Sequence, residues 1–412
     1  MKELFNQYIQ NLETYIMFRI KEEVERLTPE LEAKGRSPIS LAMGAPTSNP
    51  PFFVIDKLKS VLDERGIHTY SVPKGELYFR KAVSERMKIK YNVDVNPDEV
   101  ISLIGSKEGI ANMVRALINP VPEEKEKDII FIPDPGYASY SQMVITSGGY
   151  PYSVPLTIEN RYRPDMDECM DNLKKDGFNP KKVKALIINY PNNPLGVSVD
   201  RNYYRHVVDF CKRNNILLIS DAAYIDIYFG NEERPISILE IEGAKDVAVE
   251  FFSFSKPYSM TGWRLGWVCG NKEAVSMFGK LKSTIDSGLF KALQKASAEL
   301  LNSIEGDRYI VEENNKFRQK RNEFVNGLKG LGWPDFHVPD STFYVWAPIP
   351  PRFKTSQEFT SYVLNKSGIV LVPGNAFGKN GEGFFRASVV CSENDLYTCI
   401  ERLRQDGIFY NV

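Results

Sequence analysis

The chain has 412 residues, with 52 Lys+Arg against 53 Asp+Glu and a formal net charge of −1. That balance argues against a dedicated nucleic-acid binder, which shows a basic excess. The 42% hydrophobic and 25% charged shares suit an ordinary soluble enzyme rather than a disordered chain, and a globular chain this long buries roughly 75% of its unfolded surface without disulfides or metals.

No stretch approaches the ~18 consecutive apolar residues of a membrane span. The N-terminal segment carries Glu3 and Glu13 and has no continuous apolar core, so it does not read as a signal peptide. The five cysteines are odd in number and contain no Cys-x-x-Cys pair, which points to a reducing cytoplasm. His68, His206 and His337 stand far apart and lack metal-ligand spacing. Proton transfer is therefore expected from a group other than histidine.

In chain order, residues 1–34 read as one or two amphipathic helices ending near Lys34-Gly35. Short apolar, mostly β-branched or aromatic runs follow at Ile101–Ile104, Ile129–Ile132, Ala185–Ile188, Ile216–Ile219, Glu250–Phe254 and Leu265–Val268. Their near-continuous apolarity predicts strands covered on both faces. Helical periodicity at 108–119 and 201–214 lies between them. This alternation predicts an α/β fold with a mostly parallel sheet. From Lys291 a helical tract runs through Leu300 and Arg318 to Leu328, and two late strands are expected at Ile369–Val372 and Phe384–Val390. The expected organisation is a large α/β domain over 46–290 and a smaller α+β domain built from 1–45 and 291–412.

The most informative stretch is Ser253-Phe254-Ser255-Lys256, followed by Thr261-Gly262-Trp263-Arg264-Leu265-Gly266. A lysine directly after a buried strand is unusual, since most lysines sit on solvated faces. Deprotonated there, it can condense with an aldehyde. Ser253, Ser255 and Arg264 could bind a phosphate together. Asn193, in Pro191-Asn192-Asn193-Pro194-Leu195-Gly196, and Asp221, in Ser220-Asp221-Ala222-Ala223-Tyr224, both follow predicted strands. Ligands of open α/β sheets bind at such carboxyl ends. Each interval from Asn193 to Asp221 to Lys256 fits one helix and one strand, which gathers an amide, a carboxylate and an amine at one rim.

With these motifs in order, the chain resembles the pyridoxal-phosphate (PLP) aminotransferases of fold type I, class I/II, across nearly its whole length. The resemblance implies that Lys256 bonds the cofactor aldehyde and later acts as the proton-moving base. It implies that Asp221 keeps the pyridine nitrogen protonated, because a buried anion favours the cation. Tyr224 and Asn193 would hold the ring's phenolic oxygen. Gly105-Ser106-Lys107-Glu108-Gly109 lies between a strand and a helix, where backbone N–H groups can face a phosphate. With Ser253 and Arg264 it matches the family's phosphate cup. Tyr137, in Asp134-Pro135-Gly136-Tyr137, matches the aromatic that stacks on the ring. Tyr70 matches a tyrosine that reaches the neighbouring subunit's phosphate, which implies a homodimer with shared active sites.

Arg386, in Gly383-Phe384-Phe385-Arg386-Ala387-Ser388, matches the residue that takes the substrate α-carboxylate. Gly44, in Met43-Gly44-Ala45-Pro46, matches a loop approaching the same carboxylate. Lys107 and Tyr137 are near enough in the motif map to meet a distal group. Two positions depart from the family: Leu195 where it usually reads Asn-Pro-Thr-Gly, and Thr47 where it usually reads Gly-x-Pro-Asp. The motifs, with Lys282–Gly288, are similar to the LL-diaminopimelate branch, which uses 2-oxoglutarate, and closely similar ones occur in alanine and aspartate aminotransferases. A lyase of the same fold would share Lys256 and Asp221 but show altered stacking or a missing carboxylate arginine, and Tyr137 and Arg386 argue against it. A binding-only regulator would carry an added DNA-binding domain, and residues 1–45 are too short and too balanced in charge for one.

Overall fold

The β-branched runs do form strands, and seven strands make one sheet in the computed structural model, which describes residues 1, 4–10, 12, 16–229 and 234–411. Glu3 and Glu13 fall outside the described residues. The strands are β1 (Val100–Leu103), β2 (Ile129–Asp134), β3 (Tyr150–Pro155), β4 (Val183–Ile188), β5 (Leu217–Asp221), β6 (Ala248–Ser253) and β7 (Gly266–Gly270). Their spatial order is β1-β7-β6-β5-β4-β2-β3. β7 runs antiparallel to both neighbours, and the other pairs are parallel.

Successive side chains go to different cores. Leu186, Leu218 and Phe252 join one cluster, while Ile187, Ile219 and Phe251 join another on the opposite face. That two-sided burial is why the runs read as continuous apolarity rather than alternation. β3 was not visible in the pattern. It is an edge strand with two prolines and a mostly half-buried face, and an edge is where strand prolines are tolerated.

A smaller sheet has the order β9-β10-β8 from β8 (Tyr344–Pro348), β9 (Val372–Pro373) and β10 (Phe384–Ser388). Its pairs are antiparallel, and Arg386 stands opposite both Val372 and Trp346. β8 was not anticipated. The expected strand Ile369–Val372 is split at Leu371: Ile369–Val370 pairs in parallel with Ile39–Ser40 instead. That pair ties the N-terminal segment to the C-terminal part.

The helical tract after Lys291 is two helices, Lys291–Leu301 and Ile304–Gly330, broken at Asn302–Ser303. The first packs on the large domain through Ala296 and Leu300, together with Ile310 of the second. From Phe317 onward the second helix joins the small core. The helix just after residue 290 thus buries its apolar side in the larger core. The two departures are packed into the fold. Leu195 is buried with Ile20, Leu27 and Ala42, and Thr47 Oγ1 donates to the Val390 carbonyl at 2.9 Å.

Phe251 is fully buried on β6. Phe251→Ala should cost about 3–5 kcal/mol through lost transfer energy and a residual cavity. Guanidinium denaturation of the pure protein would measure it, and a loss under 1 kcal/mol would contradict the packing described.

Candidate active site

β4, β5 and β6 run parallel, so their carboxyl ends lie side by side. β1 delivers its own end to the same rim. A cavity of about 350 Å³ opens there, closed on its far side by Gly44 and by Arg386 and Tyr344 of the small sheet. Every residue expected at the site lines it except Tyr70. Tyr70 is 88% exposed on this chain's surface.

The ε-amine of half-buried Lys256 enters the cavity just past the end of β6 and donates to the Gly44 carbonyl at 2.5 Å. Burial, and then the nearby Arg386 and Arg264 guanidinium groups, pull its pKa down to about 8. A neutral amine is the nucleophilic form. Asp221 ends β5. Its Oδ2 accepts from Tyr140 Oη at 2.6 Å and its Oδ1 from the Ala223 amide at 3.3 Å. Burial raises the carboxyl to about 6, against the pull of those hydrogen bonds and of Lys256.

Asn189 ties the neighbouring loops together. It donates to the Asp221 carbonyl at 2.8 Å and accepts from the Asn193 amide at 2.9 Å. Tyr224 shares a 2.9 Å hydrogen bond with Tyr344 through their hydroxyl groups. Tyr137 meets Tyr140 edge-on at 5.5 Å, and Lys107 Nζ stands 5.8 Å from the centre of the Tyr137 ring.

One wall is built for an anion. The helix Ser106–Leu117 begins at the cavity, and Gly105 before it has φ +103° and supplies no side-chain cap. The first N–H groups of such a helix lack intrahelical partners, and its dipole favours negative charge. A Cβ on Gly105 would lie 2.4 Å from Arg264 Nη2. Only glycine permits both the backbone conformation and the close guanidinium. Ser253 and Ser255 complete this wall, with the Ser255 amide donating to Ser253 Oγ at 3.1 Å.

Arg386 occupies the opposite wall and is 5% exposed. It donates to Asn193 Oδ1 at 2.9 Å and to the Ala42 carbonyl at 2.8 Å. Its Nε is buried without a hydrogen-bond partner. Tyr344 and Phe377 flank the guanidinium at 4.3 and 4.8 Å. Among the described residues no carboxylate pairs with it. A buried cation held only by neutral acceptors is costly unless an anion joins it.

Sequence reasoning missed Tyr140, Tyr344, Asn189 and Phe377. Tyr140 lies one helical turn after Tyr137, a spacing that could have marked it. Tyr344 lies on the small sheet and Phe377 in the turn after its strand Val372–Pro373, and neither carries a local signal in the sequence.

The family described as aminotransferase class I and II matches residues 36–403. The chain belongs to that family. Among curated relatives, an LL-diaminopimelate aminotransferase 2 of Trichormus variabilis is 38% identical over 94% of this chain and 96% of its own length. An LL-diaminopimelate aminotransferase of Moorella thermoacetica is 39% identical over 96% of this chain and 97% of its own. Among solved structures, substrate-bound BacF from Bacillus subtilis superposes with TM-score 0.89 at 29% identity, covering 99% of each chain. The aminotransferase uses pyridoxal 5'-phosphate, as its family does. The donor set fits that group: helix N–H groups and the Arg264 guanidinium beside Gly105 for a phosphate, an amine of lowered pKa at Lys256 for the aldehyde and a buried acid at Asp221 for the ring nitrogen. No helix among the described residues of this aminotransferase is long and apolar enough to cross a membrane.

The lowered pKa has a direct consequence. The rate at which Lys256 in the cofactor-free protein captures an aldehyde should rise with pH and level off above about 8, because only the neutral amine attacks. A stopped-flow pH series would show this, and a midpoint near the ordinary lysine value of about 10.4 would contradict the burial.

Proposed function

We propose that this aminotransferase moves an amino group between LL-diaminopimelate and 2-oxoglutarate. The near-full-length similarity to the curated relatives carries the choice of substrate. The cavity supports it by its shape. Past Tyr137, Ala138, Ala376 and Phe377 it adjoins a second chamber of about 820 Å³ that is also lined by Arg19, Ser141, Gln142 and Lys379. A long substrate with a polar distal end has room there, beside Lys107 and Tyr137.

Pyridoxal phosphate, when bound, supplies an aldehyde and a ring that accepts electrons. The chain's residues divide the remaining work. The helix start at Ser106, with Ser253, Ser255 and Arg264, receives the phosphate. Asp221, largely ionised at neutral pH, holds positive charge on the ring nitrogen, and Tyr140 fixes the direction of its carboxylate. Tyr137, which lines the cavity, would stack on the ring. Asn193 gives its carbonyl oxygen to Arg386, which leaves its amide N–H groups to donate to the phenolic oxygen alongside Tyr224. Arg386 receives the substrate α-carboxylate, next to the backbone at Gly44. Lys256 Nζ, beside the Gly44 carbonyl, would be the base that moves the proton at the substrate α-carbon. No histidine lines the cavity, so the amine is the base the geometry offers.

The site is completed by a second copy of the chain. Tyr70 stands among exposed Val72, Leu77, Ile285 and Phe290. His68 stacks on Phe290 at 6.1 Å, and Gly288 packs against the Val72 backbone, so the segments around Tyr70 and Phe290 share one face that exposes apolar side chains. Such a face marks a protein interface, and it brings Tyr70 to the partner's phosphate. The cytoplasm, where the free thiols stay reduced, is the proposed location.

Three measurements test this reading. An amino-donor panel with 2-oxoglutarate should show the highest kcat/KM for LL-diaminopimelate, and a clear preference for alanine or aspartate would overturn the substrate. Lys256→Ala should abolish turnover in a folded protein. Arg386→Ala should raise the donor's KM about 100-fold, from about 1.5–3 kcal/mol per charge-assisted hydrogen bond, while cofactor affinity stays within about threefold. Equal losses of both would give Arg386 a different role.

A further inference from the structure

We propose that Tyr309, outside the cavity, is a positioning residue that clamps the Lys256 segment against the Gly44–Asn49 segment and so holds the Lys256 amine in its place. The inference rests on Lys256 being the residue that captures the cofactor.

Two stretches of chain face each other through the contact from Lys256 Nζ to the Gly44 carbonyl. Each needs an anchor. After Lys256 the chain turns through Ser259, a buried serine with φ +53°. A residue with a Cβ seldom adopts that conformation and keeps it only when its surroundings impose it. The partner that imposes it is Tyr309, whose hydroxyl lies 2.9 Å from Ser259 Oγ and 2.7 Å from the Asn49 carbonyl. A carbonyl can only accept and a phenol has one proton. Tyr309 therefore donates to Asn49 and accepts from Ser259. One hydroxyl thus joins the segment three residues past Lys256 to the segment five residues past Gly44.

The clamp has a rigid base. Tyr309 lies on the helix Ile304–Gly330. One turn further, buried Glu313 accepts from Ser48 Oγ at 2.7 Å. Near the helix start, Asp307 is held by Arg86 of the large domain at 2.8 Å. The helix fixes both segments while also running between the two cores. Tyr309 does not line the cavity, so it acts through Ser259 and Asn49 and not on the substrate.

The test uses the full chain freed of cofactor. Pyridoxal phosphate capture is followed by stopped-flow absorbance against pH, beside thermal melting. Tyr309→Phe keeps the ring and removes only the hydroxyl. It should raise the midpoint of capture by about half a unit or more, a threefold or greater slowing at pH 7, because a loosened amine regains solvent. Melting should stay within about 2 °C of wild type. Ser259→Gly, which adopts the backbone conformation freely but lacks the hydroxyl, should give the same shift, and the double variant should be no worse than either single one. A wild-type midpoint in Tyr309→Phe, a loss that only tracks melting, or additive effects in the double variant would each overturn the proposal. Lys256→Ala separates the two layers. If it still traps cofactor reducible by borohydride, the assignment of Lys256 fails; if it traps none while Tyr309→Phe behaves as wild type, only the clamp fails.

Discussion

The site depends on burying an amine beside two guanidinium groups. Lys256 lies near Arg386 and Arg264, and desolvation adds to their repulsion. A protonated amine there would meet both penalties, so a far larger share of Lys256 is neutral near physiological pH than of an ordinary lysine. Asp221 is the counterweight. It is buried on a neighbouring strand and raised only to about 6, because Tyr140 and the Ala223 amide hydrogen-bond its charged form. The two groups are pushed towards each other's range by the same low-dielectric surroundings, Asp221 up to about 6 and Lys256 down to about 8.

The scaffold makes such burial tolerable by supplying acceptors and donors from rigid places. Parallel strands bring their carboxyl ends to one rim, where the loops after β4, β5 and β6 begin. Arg386 sits within a strand, between two aromatic rings, with two of its nitrogens occupied by neutral acceptors. That arrangement keeps the guanidinium oriented, with no carboxylate paired to it among the described residues. A carboxylate arriving there, as proposed for the substrate, would gain a preorganised partner without displacing an ion pair. At the other wall, the absence of a Cβ at Gly105 lets Arg264 come against the start of the helix Ser106–Leu117, which concentrates positive potential in a small volume.

The two cores meet across this cavity. Tyr224 follows β5 of the large sheet yet packs into the small core, and its hydroxyl bonds Tyr344 of the small sheet. The helix Ile304–Gly330 contributes to both cores. A change in the angle between the domains would therefore alter the spacing of Lys256, Gly44 and Arg386 together. Local chemistry and domain packing are one problem in this fold.

Much of this was present in the linear sequence. The strands buried on both faces announced themselves by uninterrupted apolar runs, and the short polar motifs at their ends marked Asn193, Asp221, Lys256 and the Gly105–Lys107 turn, because those residues owe their place to the strand just before them. What the sequence could not determine were elements and partners set by distant chain. β3 and β8, the split at Leu371 and the membership of the helix Lys291–Leu301 follow from edges and packing. Tyr140 on Asp221, Tyr344 on Tyr224 and Tyr309 on Ser259 are hydrogen bonds between side chains separated by tens to more than a hundred residues. Local periodicity reports which side of an element is buried; which group waits on the other side of that surface is decided only when the chain folds.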